Sequence, residues 1–424
     1  MKTAVIGGGA AGIAAALKAA SLGHQVTLYE ALPRLGGRLG SFTCHQTGRI
    51  FDFGEHLLLA SCAQTLKLLE LMNCRYTVRV QPKLEIPFHH PRKGFHLFRL
   101  NHLPKPYDFL WALGNFKYLP FPQRLKLITR LKRLIDADNL PAISAEKWLE
   151  GASPAEYRNF WLPLILSALN CLPGEADIGM LKTVFCEGFL KGGGLGFFTI
   201  PQNEIFHHRA LKALETAGVE LKIRESVSHI ALKEDGVEIY RGTDVIDRFD
   251  RTIVAVPPEK LPGLLGDQQV KLGIDVADIG RRYSAICNVH LVFAEPVFES
   301  DFGCLLESLP QWYFRKRWIS PEAAYSLVIS AADAILPKGG DIIGECLRDL
   351  ERCGGNMRNN KVHYAKMVLI KRATVKFPPA ARNQRPKIET GDRRLLLAGD
   401  WVDTGLPPTI ESAITSGFRA AEML

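Results

Sequence analysis

Gly7-Gly8-Gly9-Ala10-Ala11-Gly12 stands between a short apolar run at 3–6 and a string of good helix formers at 13–17. Glycines 7, 9 and 12 have the spacing GxGxxG. Such a turn can bind an anion, because the bare N–H groups of a helix N-terminus and the positive end of its dipole both face a phosphate placed there. Gly7 permits the tight turn, Gly9 lets the backbone approach a pyrophosphate, and Gly12 lets helix pack closely on strand. A second apolar strand at 25–29 ends at Glu30. An acid about 20 residues beyond the glycines accepts ribose hydroxyls and disfavours a 2′-phosphate. The glycines alone would read as an ordinary turn. Strand, glycines, helix, strand and acid together read as a dinucleotide site.

Arg34-Leu35-Gly36-Gly37-Arg38 follows directly. Its glycines let the backbone come close to a ligand, and arginines beside them can hold phosphate oxygens. Near the other end, an apolar strand at 394–398 runs into Gly399-Asp400, then Trp401-Val402-Asp403-Thr404-Gly405, then a helix from 408 to the end. This supplies a second helix N-terminus. Asp400 can accept hydrogen bonds from ligand hydroxyls, although on its own it would read as a turn or N-cap residue. Glu55 and His56 are the leading polar candidates for proton chemistry, since a carboxyl in an apolar pocket is kept protonated. The plainer readings are a salt bridge for Glu55 and a satisfied core position for His56.

These residues require an α/β fold, with a Rossmann-like cofactor domain and an interleaved α+β substrate domain. The cofactor domain is expected from 1–70, 197–260 and 390–424. Its middle piece shows a helix at 206–217, a strand at 220–223, alternation around Val227, His229-Ile230 and Val237, and a strand at 252–256. The substrate domain is expected from 71–196 and 261–389. Its first piece reads as largely helical. Its second reads as strands at 286–293, 326–331 and 367–373 with a helix at 341–353.

Lys and Arg number 53 against 44 Asp and Glu, a net charge of +9. This modest bias suits an anionic cofactor or membrane surface, and no nucleic-acid module accompanies it. The nine scattered cysteines include no CxxC pair, which fits reduced thiols and a cytoplasmic protein rather than a zinc site or disulfide framework. His89-His90, His96, His102 and His207-His208 lack an acid or Cys at ligand spacing; they read as surface or loop residues, and no metal is expected. No signal peptide and no membrane-spanning run is visible. The segment 122–135 is basic and amphipathic, with Leu127, Leu131, Leu134 and Ile135 on one face. Aromatic residues Phe109, Trp111, Phe116, Tyr118 and Phe121 precede it. It is a candidate peripheral contact with an anionic membrane, against the plainer reading of a surface helix packed on the core.

Taken together, GxGxxG with Glu30, RLGGR and LLLAGDWVDTGLPPTIESAITSG resemble the flavin amine oxidase and carotenoid desaturase superfamily. DFGEHLLL at 52–59, FWLPL at 160–164, ALN at 168–170 and QWYF at 311–314 resemble its squalene-associated branch, the hydroxysqualene dehydroxylases. The resemblance covers nearly the whole chain. It implies a GR2-type fold and noncovalent FAD held by Gly7, Gly9, Ala10, Ala11, Gly12, Glu30, Ala31, Arg34, Gly36, Gly37, Arg38, Val227, Gly399, Asp400, Thr409 and Ile410. It also implies an apolar isoprenoid substrate lined by Trp161, Asn170 and Trp312, squalene-synthase-like enzymes upstream, and an electron donor that the sequence leaves unknown. Glu55 departs from the resembled pattern, which more often carries Gln there, so His56 is the stronger candidate acid. A carotenoid-type desaturase, an amine oxidase and a non-catalytic isoprenoid carrier on the same fold remain open alternatives.

Overall fold

The computed structural model describes residues 1–191, 193–276, 278–319 and 323–424. A parallel five-stranded sheet gathers both ends of the chain. Its order is Glu220–Ile223, β2 (Gln25–Glu30), β1 (Lys2–Ile6), Arg251–Val254 and Leu395–Leu397. Residues Thr3, Ala4, Val5 and Ile6 are all buried, as a parallel strand covered on both faces requires. Ile6 pairs with Tyr29 on one side and Val254 on the other. The three cofactor segments read from the sequence thus each supply strands to one sheet.

Helix α1 (Ala10–Ser21) is built from small residues and packs on the C-terminal helix Ile410–Glu422. A Cβ on Gly417 would lie 2.1 Å from the Ala11 carbonyl oxygen, so the two helix backbones touch there. Lys18 and Glu422 close the far end of this contact at 3.2 Å.

The second large element is a seven-stranded sheet in the order Val362–Val375, Tyr283–Phe293, Ala323–Ile329, Trp312–Arg315, Phe302–Leu305, Glu85–His90 and Gly94–Arg99. The last two strands interrupt 71–196, which is otherwise largely helical as expected. The hairpin turns through Pro91 to Gly94, whose φ of +66° favours glycine, and its strands pair antiparallel from Glu85–Arg99 to His90–Gly94. Val78–Val80 is also a strand; it pairs with Leu195–Phe198, which in turn pairs with Leu57–Leu59. This small sheet ties residues 57–59, just beyond Glu55 and His56, to the substrate half of the molecule.

His89 and His90 are buried, not on the surface or in a loop as expected. They point to opposite faces of their strand, and both faces are covered. His89 meets the Tyr313 hydroxyl at 3.1 Å, and His90 Nδ1 accepts the N–H groups of Arg92 and Lys93. Among the described residues no group of three or more His, Cys, Asp or Glu is placed to hold a metal, and the cysteines are free.

Helix Phe121–Asp136 buries Leu127, Leu131 and Leu134. Two of its basic side chains do not face water. Arg130 bonds the buried Glu156 carboxylate at 3.2 Å, and Arg124 donates to the carbonyls of Leu119 and Gly114. Lys126, Lys132 and Arg133 are exposed.

Candidate functional site

Gly7 leaves β1 with φ +110° and donates its N–H to the Tyr29 carbonyl at 2.8 Å. A Cβ on Gly12 would lie 1.8 Å from the Gly7 carbonyl oxygen, which is the close helix–strand approach read from the spacing. Gly9 is the N-cap of α1. No side chain caps this helix and no acid stands in its first turn. No atom lies within 4 Å of a Cβ added at Gly9. The result is an open cradle of N–H groups at a positive helix end, with Ala10 and Ala11 forming the first turn.

Glu30 is buried. One carboxylate oxygen accepts the Gly8 N–H and the other the Leu32 N–H, each at 2.7 Å. It braces the glycine turn and Ala31 besides facing the cradle. The loop carrying Val227 is tied to the same point, since the Glu225 N–H donates to the Glu30 carbonyl at 3.0 Å.

The Gly36-Gly37 turn lies directly over this helix end. The Gly36 N–H donates to Gly8 O at 2.8 Å, and a Cβ on Gly37 would stand 3.2 Å from Gly9 Cα. Arg34 turns its guanidinium back onto its own loop. It donates to the carbonyls of Leu35, Gly37 and Leu39 and lies over the Phe53 ring, locking its own loop. Arg38 is the arginine of this loop that reaches out. It meets the buried Asp400 carboxylate at 2.5 Å and the Ala373 carbonyl at 2.9 Å, joining the first cofactor motif to the last.

At that last motif the Gly399 N–H donates to Ser416 Oγ at 2.8 Å, and Thr409 caps the helix that begins at Ile410. Arg385, unremarked in the sequence reading, is buried beneath the loop and donates to the carbonyls of Asp400, Val402 and Leu406. Glu411 turns away to cap the N-terminus of helix Ala63–Leu71 through the N–H groups of Gln64 and Thr65.

Glu55 and His56 follow immediately from this frame. The Phe53 N–H donates to the Gly40 carbonyl at 2.8 Å, so the RLGGR loop sets the start of the 53–56 segment. Asn288 and Gln202 hold the carbonyls of Phe53 and Gly54 at 2.9 and 2.6 Å. Asp52, Glu55, His56, Phe197, Phe314 and Lys316 line a common small cavity. Burial raises the Glu55 carboxyl above the usual carboxylate range, with Lys316 opposing and Asp52 adding to the shift. Burial, reinforced by the charges of Lys316 and Arg38, lowers His56 to about 4. Burial thus favours the neutral imidazole at His56 and disfavours the charged carboxylate at Glu55, so Glu55 rather than His56 is the candidate acid. Glu55 Oε1, Gln202 Oε1, Asn288 Oδ1 and His290 Nε2 are buried without a hydrogen-bond partner, and all belong to this neighbourhood.

Of the residues expected to line a substrate pocket, Trp161 is entirely buried in the core. Its indole N–H donates to Glu156 at 2.9 Å, and it packs on Phe160 and Phe185. Asn170 is also structural. It ends helix Leu162–Leu169 in the left-handed conformation and bridges Thr374 and the Ala331 N–H. Trp312 differs. It stacks with Phe302 and Phe314, and Phe302 meets Phe197, so an aromatic row leads from Trp312 to the cavity wall.

The bare cradle at Gly9, the buried Glu30 and the Arg38–Asp400 link fit a dinucleotide whose pyrophosphate would be held by the N-terminus of α1. Comparison with known proteins agrees. A model of flavin-containing amine oxidoreductases matches residues 10–424. The chain is 26% identical to a hydroxysqualene dehydroxylase of Sinorhizobium fredii over 99% of this chain and 97% of that one. It is 27% identical to a hydroxysqualene dehydroxylase of Zymomonas mobilis over 99% and 98%. An oxidoreductase from Methanosarcina mazei superposes over all of both chains with a TM-score of 0.75 at 16% identity, a likeness of fold.

Proposed function

This chain belongs to the flavin-containing amine oxidoreductases and is an FAD-dependent oxidoreductase, and from that premise we propose that it reductively removes the hydroxyl of hydroxysqualene to give squalene. The observation that carries the reading is Glu55, a buried carboxyl with one unpartnered oxygen, in a small cavity that it shares with His56, Lys316, Phe197, Phe198 and Phe314. The likeness to two hydroxysqualene dehydroxylases supports it.

FAD, when bound and reduced, supplies a hydride to the allylic carbon. The protein must do the rest. Hydroxide is a poor leaving group, so Glu55 protonates it as it departs. Neutral His56 donates an N–H that orients the oxygen. Phe197 and Phe314, which line the same cavity, would stabilise the developing allylic cation through their aromatic rings. The substrate is the kind of product that a squalene-synthase-like enzyme releases, and an external donor must reduce the flavin for each turnover. Enzyme reduced anaerobically and mixed with hydroxysqualene should regain the oxidised flavin spectrum and form squalene stoichiometrically. Absence of reoxidation overturns the reading, and bleaching of oxidised flavin by a polyene would replace it with a desaturase.

The FAD is held noncovalently in this reading, because GGGAAG, RLGGR and GDWVDTG contain no Cys or His. Acid precipitation should release the flavin into the supernatant. Flavin retained in the pellet would refute this.

No helix among the described residues is long and apolar enough to cross a membrane. Peripheral contact is proposed instead at an exposed apolar patch. Trp111 is 41% exposed, Leu125 51% and Phe121 64%, with Lys126, Lys132 and Arg133 exposed beside them. The triple variant Lys126→Gln, Lys132→Gln, Arg133→Gln should float less with anionic liposomes, and flotation of the parent should fall as salt rises. Arg124 and Arg130 are left in place because both hold the fold. Unchanged flotation of the variant removes this patch from the reading.

A further inference from the structure

Lys316 lies just beyond strand Trp312–Arg315, and its backbone N–H donates to the Ala324 carbonyl at 2.7 Å. Its side chain is 4% exposed and runs inward. The ammonium meets Asp52 at 3.2 Å and Glu55 Oε2 more closely still, and lies 4.7 Å from the centre of the Trp318 ring. Asp52 and Glu55 are 1% and 5% exposed. Two carboxyl groups and one ammonium therefore share a site that water barely reaches.

Their hydrogen bonding is unequal. Asp52 accepts from Ser41 Oγ at 2.7 Å and the Gln202 N–H at 2.9 Å, as well as from Lys316. Glu55 has Lys316 on one oxygen, while Oε1 is buried without a partner. Fully ionised, the trio would carry a net negative charge in a desolvated place, which is costly. One proton makes it neutral. Asp52, with three donors on it, is the better carboxylate. Glu55, with a spare oxygen, is where the proton belongs.

We propose that Lys316 is the positioning residue of the acid: with Asp52 it pins Glu55 through Oε2 and leaves Oε1, carrying the site's one extra proton, free to protonate the substrate's leaving oxygen. The choice of substrate rests on the dehydroxylation reading; the arrangement of charges does not. In the step, the Glu55 proton forms the second O–H bond of water as the C–O bond breaks. Reduced FAD, when bound, would supply the hydride that completes the new C–H bond. Glu55 is left as a carboxylate against the Lys316 ammonium and is reprotonated from solvent.

Glu55 is faced by Asp52 and His56 from its own segment and by Lys316 and Arg315 from the end of the neighbouring strand. Ser326 lies beside it and lowers its pKa as Lys316 does, with the neutral His290 behind at 2.8 Å from the Ser326 hydroxyl, and Asp301 stands across the cavity. The charges in contact with it have opposite signs, and that makes the test specific. An acid that must be protonated loses activity as pH rises through its pKa. Lys316 lowers that pKa and Asp52 raises it. Lys316→Met should therefore move the alkaline limb of flavin reoxidation by hydroxysqualene to higher pH, and Asp52→Asn should move it to lower pH, each by about 1 unit or more. Lys316→Arg should leave the limb near its parent position. Asp52→Asn retains the acceptor for Ser41 and Gln202 and loses only the Lys316 contact on the other oxygen, so it tests the idea even if Lys316→Met does not fold.

A second readout needs no turnover. The infrared C=O stretch of a protonated carboxyl, assigned by its loss in Glu55→Gln, should titrate with the same opposite shifts in the oxidised holoenzyme. Opposite infrared shifts without reaction of hydroxysqualene would uphold the inference and discard the dehydroxylation reading. A band absent from the parent at neutral pH, or limbs that stay fixed or move in the same direction in the two variants, would overturn the inference.

Discussion

Gly9→Val should yield a folded protein that binds no FAD. Gly9 has φ −74° and ψ −178°, which valine adopts readily, and no protein atom lies within 4 Å of the added Cβ. The side chain would occupy only the space in which a pyrophosphate must approach the α1 N–H groups. Loss of two hydrogen bonds to a charged phosphate, at about 1.5–3 kcal/mol each, weakens binding roughly 10²–10⁴-fold before any steric cost is counted. Flavin absorbance per protein should fall to background while the circular dichroism of the apoprotein stays that of the parent. Gly12→Val is the informative contrast. Its side chain would drive into the Gly7 carbonyl, so it should lose the fold together with the flavin. Full flavin content in folded Gly9→Val would place the pyrophosphate elsewhere.

Glu55→Gln should slow reoxidation of reduced flavin by hydroxysqualene while leaving FAD content unchanged, because no cofactor motif depends on it. Loss of a general acid costs about 10²–10⁴-fold, and the amide, which still donates a hydrogen bond, places this variant near 10². Its alkaline limb should also disappear, since the group that titrates is gone. His56→Ala should cost less, because burial keeps the imidazole neutral and its contribution is orientation. Single-turnover stopped flow on the oxidised flavin band separates the two. Parent rates in Glu55→Gln, or a larger loss in His56→Ala, would return the acid role to the histidine or to a bound water.

What the chain makes legible without its fold is the cofactor half. GxGxxG, Glu30 and RLGGR lie within 38 residues, and their geometry is local: a strand, a turn that needs glycine, a helix end and the next strand. The same local logic placed the strand Glu220–Ile223, the helix Ile342–Arg352 and the C-terminal helix. It missed the hairpin Glu85–Arg99, although Pro91 and Gly94 mark its turn. The hairpin belongs to a sheet whose other five strands come from beyond residue 282, and the parallel pairing of Cys304 with Phe88 leaves no trace in either segment.

The acid site belongs to tertiary structure. Glu55 and His56 stood out in the sequence as a polar pair, but nothing near them says which one holds a proton. Burial moves the two groups in opposite directions, raising the carboxyl and lowering the imidazole, and the charges that modulate both come from Lys316, 261 residues further along, and other distant groups. Arg34 and Arg38 look alike in RLGGR, yet one locks its own loop and the other reaches Asp400, 362 residues away. Arg385 and Trp161 show the same limit, since a buried arginine under a loop and a tryptophan in the core have no local signature. Short-range patterns set backbone conformation because the turns and helix ends concerned are satisfied within a few residues. Protonation and side-chain direction depend on charge and solvent exposure, which exist only once distant strands have packed.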